Sequence, residues 1–132
     1  ELVRPMTLAA FGAEVAGALP ATAHGIRVAG DGERVVRTVA VCGGAGDSLL
    51  DAAAAAADVY VTSDLRHHRA QDHVLGGGCA LVDVAHFAGE WPWLPVAAAA
   101  LAADAAQLGS RLEVRVSTIV TDPWTSHRGS QP

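Results

Sequence analysis

Residues 58–86 read DVYVTSDLRHHRAQDHVLGGGCALVDVAH, and this stretch decides the fold. DVYVTS (58–63) is a short run of β-branched and aromatic residues with polar ends, the pattern of a buried strand. Leu65–Leu75 reads as a helix, stopped by Gly76-Gly77-Gly78. CALVDVA (79–85) is a second apolar strand. Buried strands alternating with helices predict helices packed on a mostly parallel sheet.

The rhythm extends in both directions. Upstream, RVVRTVAVCG (34–43) is apolar toward its end and predicts a buried strand, and Asp47-Ser48 opens an alanine-rich helix to about Ala57. TLAAFGAEVAGA (7–18) has apolar residues at helical spacing behind Thr7, a fitting N-cap, and Pro20 closes it. HGIRVAG (24–30) alternates as a strand does, and the turn chemistry of Gly30-Asp31-Gly32-Glu33 predicts a hairpin with the strand at 34–43. Downstream, His86 starts a helical segment interrupted by Pro92 and Pro95, and Val96–Leu108 is a helix with Gly109 as its stop. LEVRVSTIV (111–119) alternates and predicts a last strand at a sheet edge. The expected architecture is an α/β layered sandwich over residues 1–125, with a mostly parallel or mixed sheet of about five strands flanked by helices. The polar stretch 126–132 reads as a flexible tail.

Composition narrows the function. The 132 residues are 51% hydrophobic and 17% charged, which excludes bulk disorder and allows a single core. The net charge is −5 and all nine cations are Arg, without a basic run, so nucleic-acid binding is not expected. No apolar run approaches a membrane span, and no charged-then-apolar leader opens the chain. Cys42 and Cys79 lie in apolar strand-like segments, which predicts two buried, reduced thiols and a cytoplasmic protein. The first residue is not Met, which fits a trimmed start or a piece of a longer protein.

In an open parallel sheet, ligands collect at the carboxyl ends of the strands. Those ends here carry Gly43-Gly44-Ala45-Gly46, Thr62-Ser63-Asp64, Asp83 to His86, and Thr121-Asp122-Pro123. His86 and Glu90 stand four apart, which puts an imidazole and a carboxylate on one helix face, a donor pair suited to Zn, Mn or Fe. A surface ion pair has the same spacing, and the position of His86 directly after a buried strand favours the ligand reading. Asp83, three residues upstream, is a candidate to orient that ligand. Asp64 ends a strand and His68 follows one turn into the next helix, a pair able to move a proton or orient a ligand. A polar helix start with a solvated imidazole explains the same residues. The glycine-rich turn at 43–46 can present backbone N–H groups to an anion or serve tight packing, and it matches neither Gly-Lys-Ser/Thr nor G-x-G-x-x-G. Trp91, Trp93 and Trp124 could wall a cleft or fill an interface.

Together these segments resemble one family. VAVCGGAG (39–46) is similar to the V-A-V-C-G-G-S-G segment of the NIF-three-like family, also labelled GTP cyclohydrolase 1 type 2-like or dinuclear-metal-centre proteins. DVYVTSD (58–64) with His68 resembles its A-D-x-Y-x-T-G-D-x-x-x-H segment, LVDVAHFAGE (81–90) its I-D-x-G-H-Y-x-x-E segment, and Thr121-Asp122-Pro123 its T-D-P. Ser63 stands where the family has Gly, His67 where it has Tyr, and Ala85 where it has Gly.

The resemblance implies that His86 and Glu90 are metal ligands, with Asp64 and His68 as polar, catalytic residues near the cleft. It implies two divalent metal ions (Zn, Mn, Fe or Mg) and a metal-dependent hydrolase acting on a small molecule such as a nucleotide or pterin-like ring. The family's adjacent His-His-Pro ligands lack a match here, since His67-His68 is followed by Arg69. The resemblance therefore implies a C-terminal half whose site is completed by an N-terminal half. It also implies a homo-oligomer, a hexameric ring. The alternative is a non-catalytic binding or assembly module stabilised by metal.

Overall fold

The computed structural model describes residues 1–129. Twelve short elements build it. Strand β1 (Met6–Thr7) runs into helix α1 (Leu8–Ala18), followed by β2 (Ile26–Ala29), β3 (Val35–Val36) and β4 (Val39–Ala45). A 3-10 turn (Asp47–Leu49) leads into α2 (Leu50–Ala56), then β5 (Val59–Ser63), α3 (His67–Leu75) and β6 (Ala80–Val84). Helices α4 (His86–Glu90) and α5 (Trp93–Gln107) complete it.

The main sheet has four strands in the order β2-β6-β5-β4. Strands β4, β5 and β6 are parallel, with Val59 opposite both Val39 and Ala80, and β2 is antiparallel to β6. The sheet is therefore mixed, and the α/β class is as expected. Every residue of β5 and β6 is buried, as two-sided cover by helices requires. On one face Val59, Val61, Val82 and Val84 pack with Leu8 and Phe11 of α1. On the other, Tyr60 and Leu81 pack with Leu50 and Ala53 of α2 and with Leu65.

Four local expectations fail, each for a physical reason. The segment 24–30 does not form a hairpin with 34–43. Strand β2 pairs with β6 in a register that sets Arg27 opposite Asp83, and the opposite charges pair across the strands. Strand β3 turns instead to β1, with Val36 opposite Met6. The segment 34–43 is not uniformly buried either: β4 is an edge strand, and its Val41 is 72% exposed. That edge leaves Cys42 half-buried, whereas Cys79 is buried as expected, and both thiols are free. Finally, residues 111–119 form no strand, because alternation becomes a strand only beside a partner and no ladder forms there among the described residues. Of the expected tail, residues 130–132 lie outside the described residues.

Two boundaries follow local chemistry. Thr7 caps α1, its hydroxyl accepting the Ala10 N–H at 3.2 Å. Helix α5 begins at Trp93 rather than Val96, because Pro95 falls in the first turn, where its missing N–H has no helical acceptor to lose.

Candidate functional site

The site forms where the parallel strands end. After β6 the chain enters α4 directly, and this five-residue helix carries His86 at its start and Glu90 at its end. Two glycines let it lie against the strand tips. A Cβ on Gly89 would stand 2.9 Å from Ser63 Oγ and 3.0 Å from Val84 Cγ2. One on Gly43 would stand 3.2 Å from the Gly89 carbonyl oxygen. The glycines at the end of β4 thus serve close packing. The carbonyls of Gly44 and Gly46 accept the hydroxyls of Thr62 and Tyr60, each at 3.0 Å.

His86 is held at both ring nitrogens. Nδ1 lies 2.6 Å from Asp64 Oδ2 and Nε2 lies 3.1 Å from Glu90 Oε1. Asp64 reaches it from a left-handed backbone, φ 58°, the only non-glycine residue with positive φ among those described. The Asp64 hydrogen bond, aided by the Glu90 charge and partly opposed by desolvation, raises the imidazole pKa above its ordinary value. Gly44, at φ 74°, gives the pair its space: a Cβ there would stand 2.7 Å from Glu90 Oε1 and 3.4 Å from His86 Nε2.

Of the residues singled out in the sequence, Asp64, His86 and Glu90 come together. His68 does not join them: it is exposed in the first turn of α3, edge-to-face with His67 at 5.2 Å between ring centroids. Asp83 does not orient His86. Its buried carboxylate takes the Nε of Arg27 at 2.8 Å, a second Arg27 N–H, and the Leu65 N–H at 3.0 Å. Asp64 fills the orienting place instead.

Arg27 and His24 were not singled out, although both line the same cavity. The available signal was Asp83 itself. A carboxylate inside an apolar strand requires a donor, and Arg27 is the lone cation in β2, one of the two strands that flank β6.

The cavity beside His86 and Glu90 has a volume of about 610 Å³. The aromatic residues Phe87, Trp91, Trp93 and Trp124 line it, and residues 117–124 close its far side. Trp91 Nε1 donates to the Ser117 carbonyl at 3.0 Å and fixes that side to α4. Three strand-end segments and the Thr121-Asp122-Pro123 tip thus gather at one edge, with the glycine turn against the His86–Glu90 pair.

The donor set fits a divalent ion in part. With Nδ1 committed to a carboxylate, Nε2 is the ring nitrogen left for a metal, and Glu90 stands next to it. Among the described residues no three His, Cys, Asp or Glu side chains are grouped to hold a metal ion. Two donors leave a four- to six-coordinate ion incomplete.

A mixed α/β sheet with a His-x-x-x-Glu helix packed on a glycine-rich strand tip defines an α/β protein with its polar site at the strand ends. The chain belongs to the Duf34/NIF3 (NGG1p interacting factor 3) family, whose profile matches residues 1–123. It is 51% identical over 133 residues to the GTP cyclohydrolase 1 type 2 homolog of Streptomyces coelicolor, covering 100% of this chain and 47% of that protein. It is 54% identical over 125 residues to the homolog of the same name from Mycobacterium tuberculosis, covering 93% and 32%. Among solved structures, Staphylococcus aureus protein SA1388 superposes with a TM-score of 0.84 at 28% identity, over 96% of this chain and 40% of that one. The Bacillus cereus protein related to NIF3 superposes with a TM-score of 0.82 at 31% identity, over 94% and 33%. The chain thus spans about half the length, or less, of the relatives it matches.

Proposed function

We propose that this chain supplies part of a metal-dependent hydrolase site, completed by the remainder of a protein of the relatives' length. The observation that carries the reading is the line Asp64–His86–Glu90, with 2.6 Å at one ring nitrogen and 3.1 Å at the other. A carboxylate on the far nitrogen fixes the tautomer and orientation of a ligating imidazole and raises its basicity. His86 Nε2 and the Glu90 carboxylate would hold one or both of two divalent ions. A bound metal would supply Lewis-acid chemistry and lower the pKa of a nearby water.

The chain's own residues do the rest. Asp64 holds the proton at His86 Nδ1 and keeps the ring turned toward Glu90. Gly44 leaves the space into which both donors point. The aromatic cavity receives a small molecule and screens part of it from water. His68, outside the cavity lining, has no part in this step.

The test is elemental analysis of a protein of the relatives' length. His86→Ala should lose the divalent metal while keeping its circular dichroism spectrum. Unchanged metal content would refute the assignment. The isolated chain should bind Zn or Mn weakly, and a tight stoichiometric site in calorimetry would show that no further ligands are needed.

One observation favours a second reading, a metal-stabilised assembly module. Helix α5 buries none of its fifteen residues, and its Val96 and Leu101 are 70% and 54% exposed. Such a face suits a partner subunit or the rest of the protein, in a homo-oligomer such as a hexamer. Among the described residues no helix is long and apolar enough to cross a membrane, and a cytoplasmic location is part of the proposal. Turnover assays with nucleotide substrates and added metal separate the two readings.

A further inference from the structure

One segment of strand character is left without a partner. From residue 110 to 122 the backbone runs without a turn or bend and belongs to no helix or strand. Among the described residues, no backbone N–H or carbonyl of residues 111–116 is hydrogen-bonded to another backbone group. A row of such groups left to water is a template for a further strand.

The side chains are already sorted as a strand sorts them. Alternation puts Leu112, Val114 and Val116 on one side and Glu113, Arg115 and Ser117 on the other. Glu113 and Arg115 pair at 2.7 Å on the polar side. On the apolar side Leu112 is 48% exposed, and Val114 and Val116 are half-buried. An apolar side with so little cover suits a surface that another element buries.

Two observations point to the element that covers it. The free edges of the main sheet are β2 and β4, and neither pairs with this segment. The superposition on SA1388 spans 96% of this chain and so takes in residues 111–116, while most of that protein lies outside the match. A partner on the same polypeptide is present at a high effective concentration, whereas a second copy must be recruited.

We propose that residues 111–116 are a strand added to a second sheet: they pair with an edge strand in the remainder of a protein of the relatives' length and bury Leu112, Val114 and Val116 against it. The inference rests on reading this chain as part of such a protein, but it requires no metal. Residues 117–124 close the far side of the cavity. Among the described residues, the one hydrogen bond from the body of the protein to this side is that of Trp91 to Ser117. Strand pairing just upstream holds that wall in place.

Amide hydrogen exchange read by mass spectrometry tests it, on this chain and on a protein of the relatives' length. Peptides covering residues 111–116 should exchange at the rate of an unstructured peptide in this chain. In the longer protein about half of their amides, those facing the partner, should exchange about 100-fold or more slower. Val114→Pro combined with Arg115→Pro removes one N–H from each edge of the segment. It should abolish the protection in the longer protein and leave the unfolding midpoint of this chain unchanged. Fast exchange in both unaltered proteins overturns the inference, and so does protection that survives the two prolines. Protection that appears in this chain alone and grows with its concentration would give the segment to a second copy, and overturns it as well. If the proline variant of the longer protein fails to fold, the two unaltered proteins still decide. Failure of the metal reading is scored separately, by the metal content of His86→Ala.

Discussion

Asp64 meets His86 from a left-handed backbone, its Oδ2 2.6 Å from Nδ1. A non-glycine residue in that region carries a cost of about 1 kcal/mol, lower for Asp than for most residues. The strain is retained where the carboxylate orients an imidazole, so stability and site geometry pull in opposite directions at this residue.

Asp64→Gly separates the two. Glycine adopts the same φ without strain and removes the carboxylate. The unfolding midpoint in urea should hold or rise. Metal affinity in a protein of the relatives' length should fall by roughly 10- to 100-fold, the usual effect of losing an orienting partner. A fall in stability with affinity unchanged would reverse the roles assigned here.

Gly44→Ala should disturb the metal pair without touching a ligand. The added methyl would stand 2.7 Å from Glu90 Oε1 and sit at φ 74°. The flexible carboxylate must swing away, and the backbone strain costs about 1–2 kcal/mol. Elemental analysis should find metal content lowered in a folded protein.

Asp58 ties the start of β4 to the start of β5. Its Oδ2 accepts the backbone N–H of Arg37 at 2.8 Å, that of Thr38 at 2.9 Å, and the Thr38 hydroxyl at 3.0 Å. The backbone bonds from Thr38 and Arg37 lower the pKa below its ordinary 3.8, against some desolvation. A depressed carboxylate pKa contributes stability above the unfolded value, lost as pH falls through the folded value. Asp58→Ala should cost about 1–3 kcal/mol in urea unfolding at pH 7. Asp58→Asn should show a flatter decline in stability below about pH 4 than the unaltered chain.

The two thiols should react at different rates. Cys79 is 3% exposed, and burial raises its pKa. Cys42 sits half-buried on the edge strand. Iodoacetamide at pH 8 should modify Cys42 about tenfold or more faster than Cys79 in the folded chain, as peptide mass mapping would read. Equal rates would mean that the core around Cys79 opens readily.

The parallel core was legible because β5 and β6 are continuous apolar runs flanked by turn residues, a local property. The His86–Glu90 pair was legible for the same reason, since i, i+4 spacing holds on any helix. What escaped depended on distant partners. The turn at 30–33 carries hairpin chemistry, yet the hydrogen bonds and the Arg27–Asp83 pair available at β6 set the place of β2. The alternation at 111–119 reports what the segment could form, and among the described residues no strand pairs with it. Asp64 was singled out as able to move a proton or orient a ligand, and Asp83 as the residue to orient His86. The backbone turn at Asp64 decides which carboxylate reaches His86, and spacing alone does not encode a φ of 58°.

The meeting of Gly43 with Gly89 is main chain against main chain: the Gly89 oxygen stands 3.2 Å from where a side chain on Gly43 would begin. Side chains between packed elements act as springs, and here none intervenes. The outer strand of the sheet and the helical turn bearing Glu90 therefore share a seam with no room for a side chain on either Gly43 or Gly89.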